Sequence, residues 1–220
     1  MRLLLLRHGQ THGNVMGALD TAEPGLELTE LGHTQATTAV QALTDEHLDQ
    51  IYVSSRVRTH QTAAPLARAR SLEPVQLEGL EEIAAGDYEM ATDHDSVHGY
   101  IHTVAEWIRG SLHVRMPGGE TGHEFLERYD AAVASIVDAG HDAAMVVSHG
   151  AAIRCWVSSR ISSDEGAPAA TESLHNTALI VLEGHPKTGW DLVSWHGEPI
   201  GGAFLEDESA PDPTGEPEQA

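Results

Sequence analysis

The amino-acid sequence predicts an α/β domain: a three-layer sandwich with a mostly parallel sheet, helices on both faces and one antiparallel edge strand. Three observations carry this expectation. Short apolar runs at 2–6, 50–53 and 143–148 have the length and near-continuous hydrophobicity of strands buried on both faces. Segments of helical periodicity lie between them, and alternation of strand and helix is the pattern of a parallel sheet joined by crossover helices. Two late runs separated by turn residues read as a hairpin at the sheet edge.

Taken in order, residues 2–6 (RLLLL) form the first strand and end on Arg7-His8-Gly9, so the loop lies at the strand's carboxyl end. Ala36, Ala39, Val40 and Leu43 recur at helical spacing after Thr29, a fitting N-cap. Residues 50–53 (QIYV) are the second strand and 57–70 the next helix; 121–139 places Phe125, Tyr129, Ala132, Val133 and Ile136 on one helical face. Residues 143–148 (AAMVVS) form a third buried strand, followed by His149-Gly150 and a helix near 151–160. The hairpin runs are 178–183 and 190–195, joined through Gly184, Pro186 and Gly189. The expected organisation is one domain over 1–205, with a cap segment at 87–120, and a disordered acidic tail at 206–220 that has almost nothing apolar to bury.

Twelve Lys and Arg stand against 34 Asp and Glu, a formal net charge of −22. This repels nucleic acid and anionic membranes, so neither is an expected partner. It also repels an anionic substrate, so a phosphate site has to be a local cluster of cations acting within roughly 8–10 Å. The single cysteine, Cys155, lies among Ala152, Ile153 and Trp156 and reads as a buried thiol in a reducing compartment. The leucine run before Arg7 is too short for a signal sequence or a membrane span, and a cytoplasmic location is expected. The apolar edge near Trp190 and Trp195 could be plain core or the face of a homodimer.

Two separate strands end in His-Gly, LLLLRHG at 3–9 and MVVSHG at 145–150. Ligands of open α/β sheets bind beyond the carboxyl ends of the strands, where loop amides and helix N-termini attract anions. A phosphate monoester is a dianion, and an imidazole attacks it only where preplaced cations neutralise its oxygens and one ring nitrogen is unprotonated. Arg7 and Arg58 are the expected clamps, since guanidinium stays charged and offers a planar fork. Arg56 reads as a surface charge, and Asn14 could donate its amide to the same phosphate. The leaving alkoxide needs a proton from a carboxyl of raised pKa. Glu81, Glu82, Asp87 and Glu89 are the candidates, and spacing alone leaves Glu81 and Glu82 nearly even.

RHGQTHGN at 7–14 resembles the Arg-His-Gly-x-Thr-x-x-Asn signature of the histidine phosphatase superfamily, phosphoglycerate mutase-like branch 1. Further matches run in order along roughly the first 195 residues: LTELGHTQA (28–36), SSRVRTHQTA (54–63), LEEIAAGDYE (80–89), PGGET (117–121), VVSHG (146–150) and NTALIVL (176–182). The resemblance implies that His8 is a phosphohistidine nucleophile. It implies Glu82, four residues before Gly86, as proton donor, and Arg7, Asn14, Arg58 and His149 as the phosphate pocket, with no metal and no cofactor. Tyr88-Glu89-Met90 and Ser54-Ser55 depart from the family pattern and should alter packing near the acid more than the chemistry.

The expected activity is hydrolysis of a small phosphorylated metabolite through phosphohistidine. One alternative is mutase-type phosphoryl transfer, disfavoured because VMGALDTAEPGLE lacks the Phe-Thr-Gly-Trp-like stretch of the mutases. Another is a non-catalytic phospho-ligand binding module, which loss of the nucleophile or acid would support; neither is lost. His94, His98 and His102 would form a stripe on a helix, read as solvated cap residues because Gly99 weakens the helix. His12 could line the pocket entrance. Gly118-Gly119 reads as a turn before the helix at 121.

Overall fold

The computed structural model of the chain describes residues 1–161 and 172–218. The apolar runs form strands β1 (Arg2–Arg7), β2 (Gln50–Val53), β3 (Val75–Gln76), β4 (Ala143–Ser148), β5 (Leu179–His185) and β6 (Gly189–His196). The helices are α1 (His12–Met16), α2 (Glu30–Ala42), α3 (Val57–Arg70), α4 (His94–Ile108), α5 (Gly122–Asp138) and α6 (Gly150–Arg160). One six-stranded sheet has the order β3-β2-β4-β1-β5-β6. Strands β3, β2, β4 and β1 are mutually parallel. The edge is refined from one antiparallel strand to a pair: β5 runs against β1, and β6 against β5.

Strand alternation divides the core into two layers. Leu3 and Leu5 face one side with Tyr52, Ala144 and Val146, under α4, α5 and α6. Leu4 and Leu6 face the other with Ile51, Val53, Met145 and Val147, under α2 and α3. All four leucines are buried, worth on the order of 10 kcal/mol in gross transfer free energy. Thr29 caps α2 as its sequence predicts, accepting from the Gly32 amide at 3.0 Å. Cys155 lies in the core, where burial pushes its thiol up to about 12.

Two helices were not expected. The short α1 is closed by Thr11 and Asn14, each side chain accepting from the other's backbone amide. Helix α4 runs through Gly99, where a glycine is required because a side chain would press on the ring and hydroxyl of Tyr88. The histidine stripe on α4 is therefore real, with rings stacked at 5.9 and 6.1 Å. Among the described residues no group of three or more His, Cys, Asp or Glu is arranged to hold a metal, and no helix is long and apolar enough to cross a membrane.

The expectation of a disordered tail is corrected for 206–218. Pro213, Thr214 and Gly215 are buried, and the Leu174 amide donates to the Gly215 carbonyl at 2.9 Å. The segment has little apolar surface, as its composition says, but it finds cations elsewhere in the fold. Residues 219–220 lie outside the described residues.

Candidate active site

The β1–β4 ladder builds the centre. Arg7 pairs with Ser148 in parallel register, so the next residue on each strand, His8 and His149, emerges on the same rim. Their ring centroids are 5.3 Å apart. The His8 amide donates to the Ser148 carbonyl at 3.0 Å, which continues the ladder by one bond.

The ring nitrogens can be assigned from their partners. His8 Nδ1 lies 2.8 Å from the Gly9 carbonyl, which only accepts, so the proton is on Nδ1 and Nε2 carries the lone pair. In His149 the order is reversed. Arg58 Nε donates to His149 Nδ1 at 3.3 Å, so Nε2 is protonated and donates to Ser54 Oγ at 2.8 Å. Burial, with Arg58 and Arg7 nearby, drives the His8 pKa well below the ordinary imidazole value. Burial and Arg58 do the same to His149. Both rings are neutral near pH 7.

Arg58 opens α3 and is 2 % exposed. Its Nη2 donates to the Asp20 carbonyl at 2.9 Å and its Nη1 pairs with the Asp20 carboxylate at 3.3 Å. Arg56, expected as a surface charge, is instead a loop anchor. Its side chain is 14 % exposed, and its Nε donates to the Thr21 carbonyl at 2.8 Å. Glu89 holds the same loop by accepting from the Thr21 and Ala22 amides, both at 3.0 Å.

Glu82 projects toward the N-terminus of α6. Its carboxylate accepts from the Ile83, Ala151 and Ala152 amides at 2.9, 3.2 and 2.8 Å. These bonds and the two arginines favour the anion, but burial outweighs them and raises its pKa above the ordinary carboxyl value. Glu81 turns away, accepting from Ser55 Oγ and the Gly79 amide at 3.2 and 2.7 Å. Geometry thus separates the two adjacent carboxyls, which spacing alone could not do.

Asn14 accepts at Oδ1 from the Thr11 amide, which turns its NH2 outward as a donor. Its partner across the floor, Asn176, donates from Nδ2 to the His8 carbonyl at 3.2 Å and to Asn14 Oδ1 at 3.3 Å. Sequence reasoning missed Asn176, Ser54 and Asp20. The strings containing the first two were noted, but nothing in them shows which strand end they face. His12 is exposed.

Residues 3–197 match the family described as histidine phosphatase superfamily (branch 1). The chain belongs to this superfamily. It is similar to the PE-PGRS family protein PE_PGRS11 of Mycobacterium tuberculosis, 36 % identical over 217 residues, 91 % of this chain but only 37 % of that protein. It is also similar to the adenosylcobalamin/alpha-ribazole phosphatase of Salmonella typhimurium, 32 % identical over 68 % of this chain and 74 % of that one. Among solved structures, a mycobacterial glucosyl-3-phosphoglycerate phosphatase in complex with VO3 superposes with a TM-score of 0.75 at 27 % identity. That match covers 89 % of this chain and 98 % of the other.

In this member of the superfamily the fork of Arg7 is already engaged. Nη1 donates to Asp212 Oδ2 and Nη2 to Asp212 Oδ1, both at 2.6 Å. Nη1 also donates to the Leu174 carbonyl at 2.6 Å, and Nη2 to Thr214 Oγ1 at 3.0 Å. Arg7 Nε is buried with no hydrogen-bond partner among the described residues. Asn14 Nδ2 donates to the same Asp212 carboxylate at 2.8 Å. The segment expected to be an idle tail thus places a carboxylate on two of the six residues singled out for the site.

Proposed function

We propose that the protein is a phosphomonoester hydrolase that works through a phosphohistidine on a small phosphorylated metabolite, without a metal. One observation carries the reading. A buried histidine with its Nδ1 proton fixed on Gly9, which leaves the lone pair on Nε2, lies within electrostatic reach of two buried arginines that also act on a buried carboxyl of raised pKa.

His8 Nε2 attacks phosphorus, and the bond from phosphorus to the ester oxygen breaks. Glu82, protonated, gives its proton to the departing alkoxide. Water then attacks the phosphohistidine, Glu82 takes a proton from it, and the phosphorus–nitrogen bond breaks to release phosphate. Arg7 and Arg58 neutralise the phosphoryl oxygens, the role a metal would otherwise fill. His149, its two ring nitrogens engaged by Ser54 and Arg58, holds Arg58 in place and packs against the His8 ring.

The test is phosphate release from an alkyl and an aryl phosphate ester. His8→Ala should lose at least about a thousandfold on both. Glu82→Gln should lose about 10²- to 10⁴-fold in kcat/KM on the alkyl ester and far less in kcat/KM on p-nitrophenyl phosphate, whose leaving group needs no proton, while hydrolysis of the phosphohistidine slows alike for both. Equal release by wild type and His8→Ala would remove the nucleophile. Isomerisation of 3-phosphoglycerate with a bisphosphoglycerate primer, faster than any hydrolysis, would replace this reading with a mutase.

A further inference from the structure

We propose that Asp212 is a built-in competitor of the substrate's phosphoryl group, and that residues 207–218 form a strap the substrate must displace. The inference rests on the phosphate-site reading above but goes beyond it. The Asp212 carboxylate takes both Nη atoms of Arg7 at 2.6 Å and the Asn14 amide at 2.8 Å. These are donors a phosphate would use, presented in the planar fork that fits either anion. Two anions cannot share that fork, so phosphate gains it only as Asp212 leaves.

The strap is seated rather than merely adjacent. Gly215 lies so close to Arg7 that a Cβ there would collide with Nη1, and Gly150 leaves room for the Thr214 carbonyl. Gly17 does the same for Pro211. Ser173 Oγ donates to Glu216 at 2.8 Å, and Arg154 donates to the Glu216 carbonyl at 2.5 Å. At the far end Glu218 bridges to α4, pairing with His102 at 2.8 Å and with Arg109. Gln10 Nε2 holds Asp207 at 3.0 Å. The six carboxylates of 206–218 carry no compensating base in their own segment, so their cations come from the rest of the fold, with Asp212 taking Arg7.

The strap is anchored at both ends, at Gln10 and at α4, while its middle occupies the phosphate position. The energy of that occupation is subtracted from substrate binding, and the apparent affinity falls by the fraction of molecules with the strap open.

Two variants test this by different routes. Asp212→Asn removes the charge but keeps the shape; Gly215→Ala keeps the charge but pushes the strap off Arg7. Calorimetric binding of inorganic phosphate should tighten by about tenfold in both, with KM for an ester falling in parallel and kcat held or raised. Hydrogen exchange of 207–218 in the wild type should speed up on saturation with phosphate. Unchanged or weaker phosphate binding in both variants would overturn the proposal. So would slower exchange of the strap on binding, or a fall in kcat at constant KM, which would make Asp212 an orienting partner of Arg7. Should no ester be hydrolysed while phosphate still binds more tightly to both variants, the hydrolase reading falls and the strap stands.

Discussion

A free imidazole loses its proton near pH 6.5 and a free carboxyl near 4.3, the wrong order for a neutral nucleophile beside a protonated acid. In water the two required forms coexist only as a minor population at any pH. Burial moves the pair toward each other's range, lowering His8 and raising Glu82. The arginines help only with the first: Arg58 and Arg7 push His8 further down, but they also pull Glu82 down. Desolvation is therefore the cause that moves the pair toward a working window. The sign follows for the pH profile of kcat/KM on an alkyl ester. Activity rises as His8 deprotonates, at a pH below its ordinary value, and falls as Glu82 deprotonates, at a pH above the usual carboxyl range. The substrate's own second ionisation, near 6, has to be divided out. Glu82→Gln should abolish the alkaline limb and keep the acid limb. An alkaline limb that persisted unchanged would take the proton-donor role away from Glu82.

Rigid elements aim these groups, and the loop carrying Glu82 shows how. Strands β1 and β4 fix His8 and His149 by register, but residues 79–83 have no ladder of their own and are held from outside. Arg128 on α5 donates to the Gly79, Glu81 and Glu82 carbonyls at 2.9, 3.0 and 3.0 Å, while Glu120 clamps its other side at 2.7 and 2.9 Å. Tyr100 on α4 donates to the Ile83 carbonyl at 3.1 Å and Ser148 to that of Leu80 at 2.8 Å. Arg128→Met should cost about 3 kcal/mol of stability by stranding Glu120 and the carbonyls. Per folded molecule kcat should fall on the order of tenfold to a hundredfold through displacement of the acid. KM should hardly change, because Arg7 and Arg58 are untouched, and Arg128→Lys should recover part of kcat. A variant with normal kcat per folded molecule would reduce Arg128 to a purely structural part. None of this was readable beforehand. Strands β1, β2 and β4 and helices α2, α3, α5 and α6 were legible because their apolar period is local. Helix α1 is defined by a capping pair, which leaves no periodic trace; α4 does carry an apolar period, Val97, Tyr100, Val104 and Trp107, but its histidines and Gly99 mask it. The partners of the site residues, such as Asp20 on Arg58 and Ser54 on His149, are fixed by pairings across many residues of chain.

Over the whole molecule, the net charge of −22 and the local cations act on a phosphate ester in opposite directions at different distances. Composition made the charge legible and the scarcity of arginine informative. It could not show that six of the carboxylates lie in a segment folded over the pocket, because the reason is an arginine at position 7. The buried arginines act within a few ångströms, where salt screens little, whereas the field of the acidic surface extends over the Debye length. That length shrinks from about 30 Å at about 10 mM salt to about 8 Å at about 150 mM. Adding salt should therefore remove the long-range repulsion first and leave the pocket intact. We expect kcat/KM for a phosphate ester to rise by about two- to tenfold over that range, the reverse of an enzyme that steers its anionic substrate with a positive surface. Wild type and Asp212→Asn should both show the rise, since most of the charge lies outside the strap. Should the rise vanish in Asp212→Asn, salt would be acting by loosening the strap instead. A fall in kcat/KM with salt in both proteins would mean that the pocket's cations dominate the approach and that the surface charge is kinetically silent.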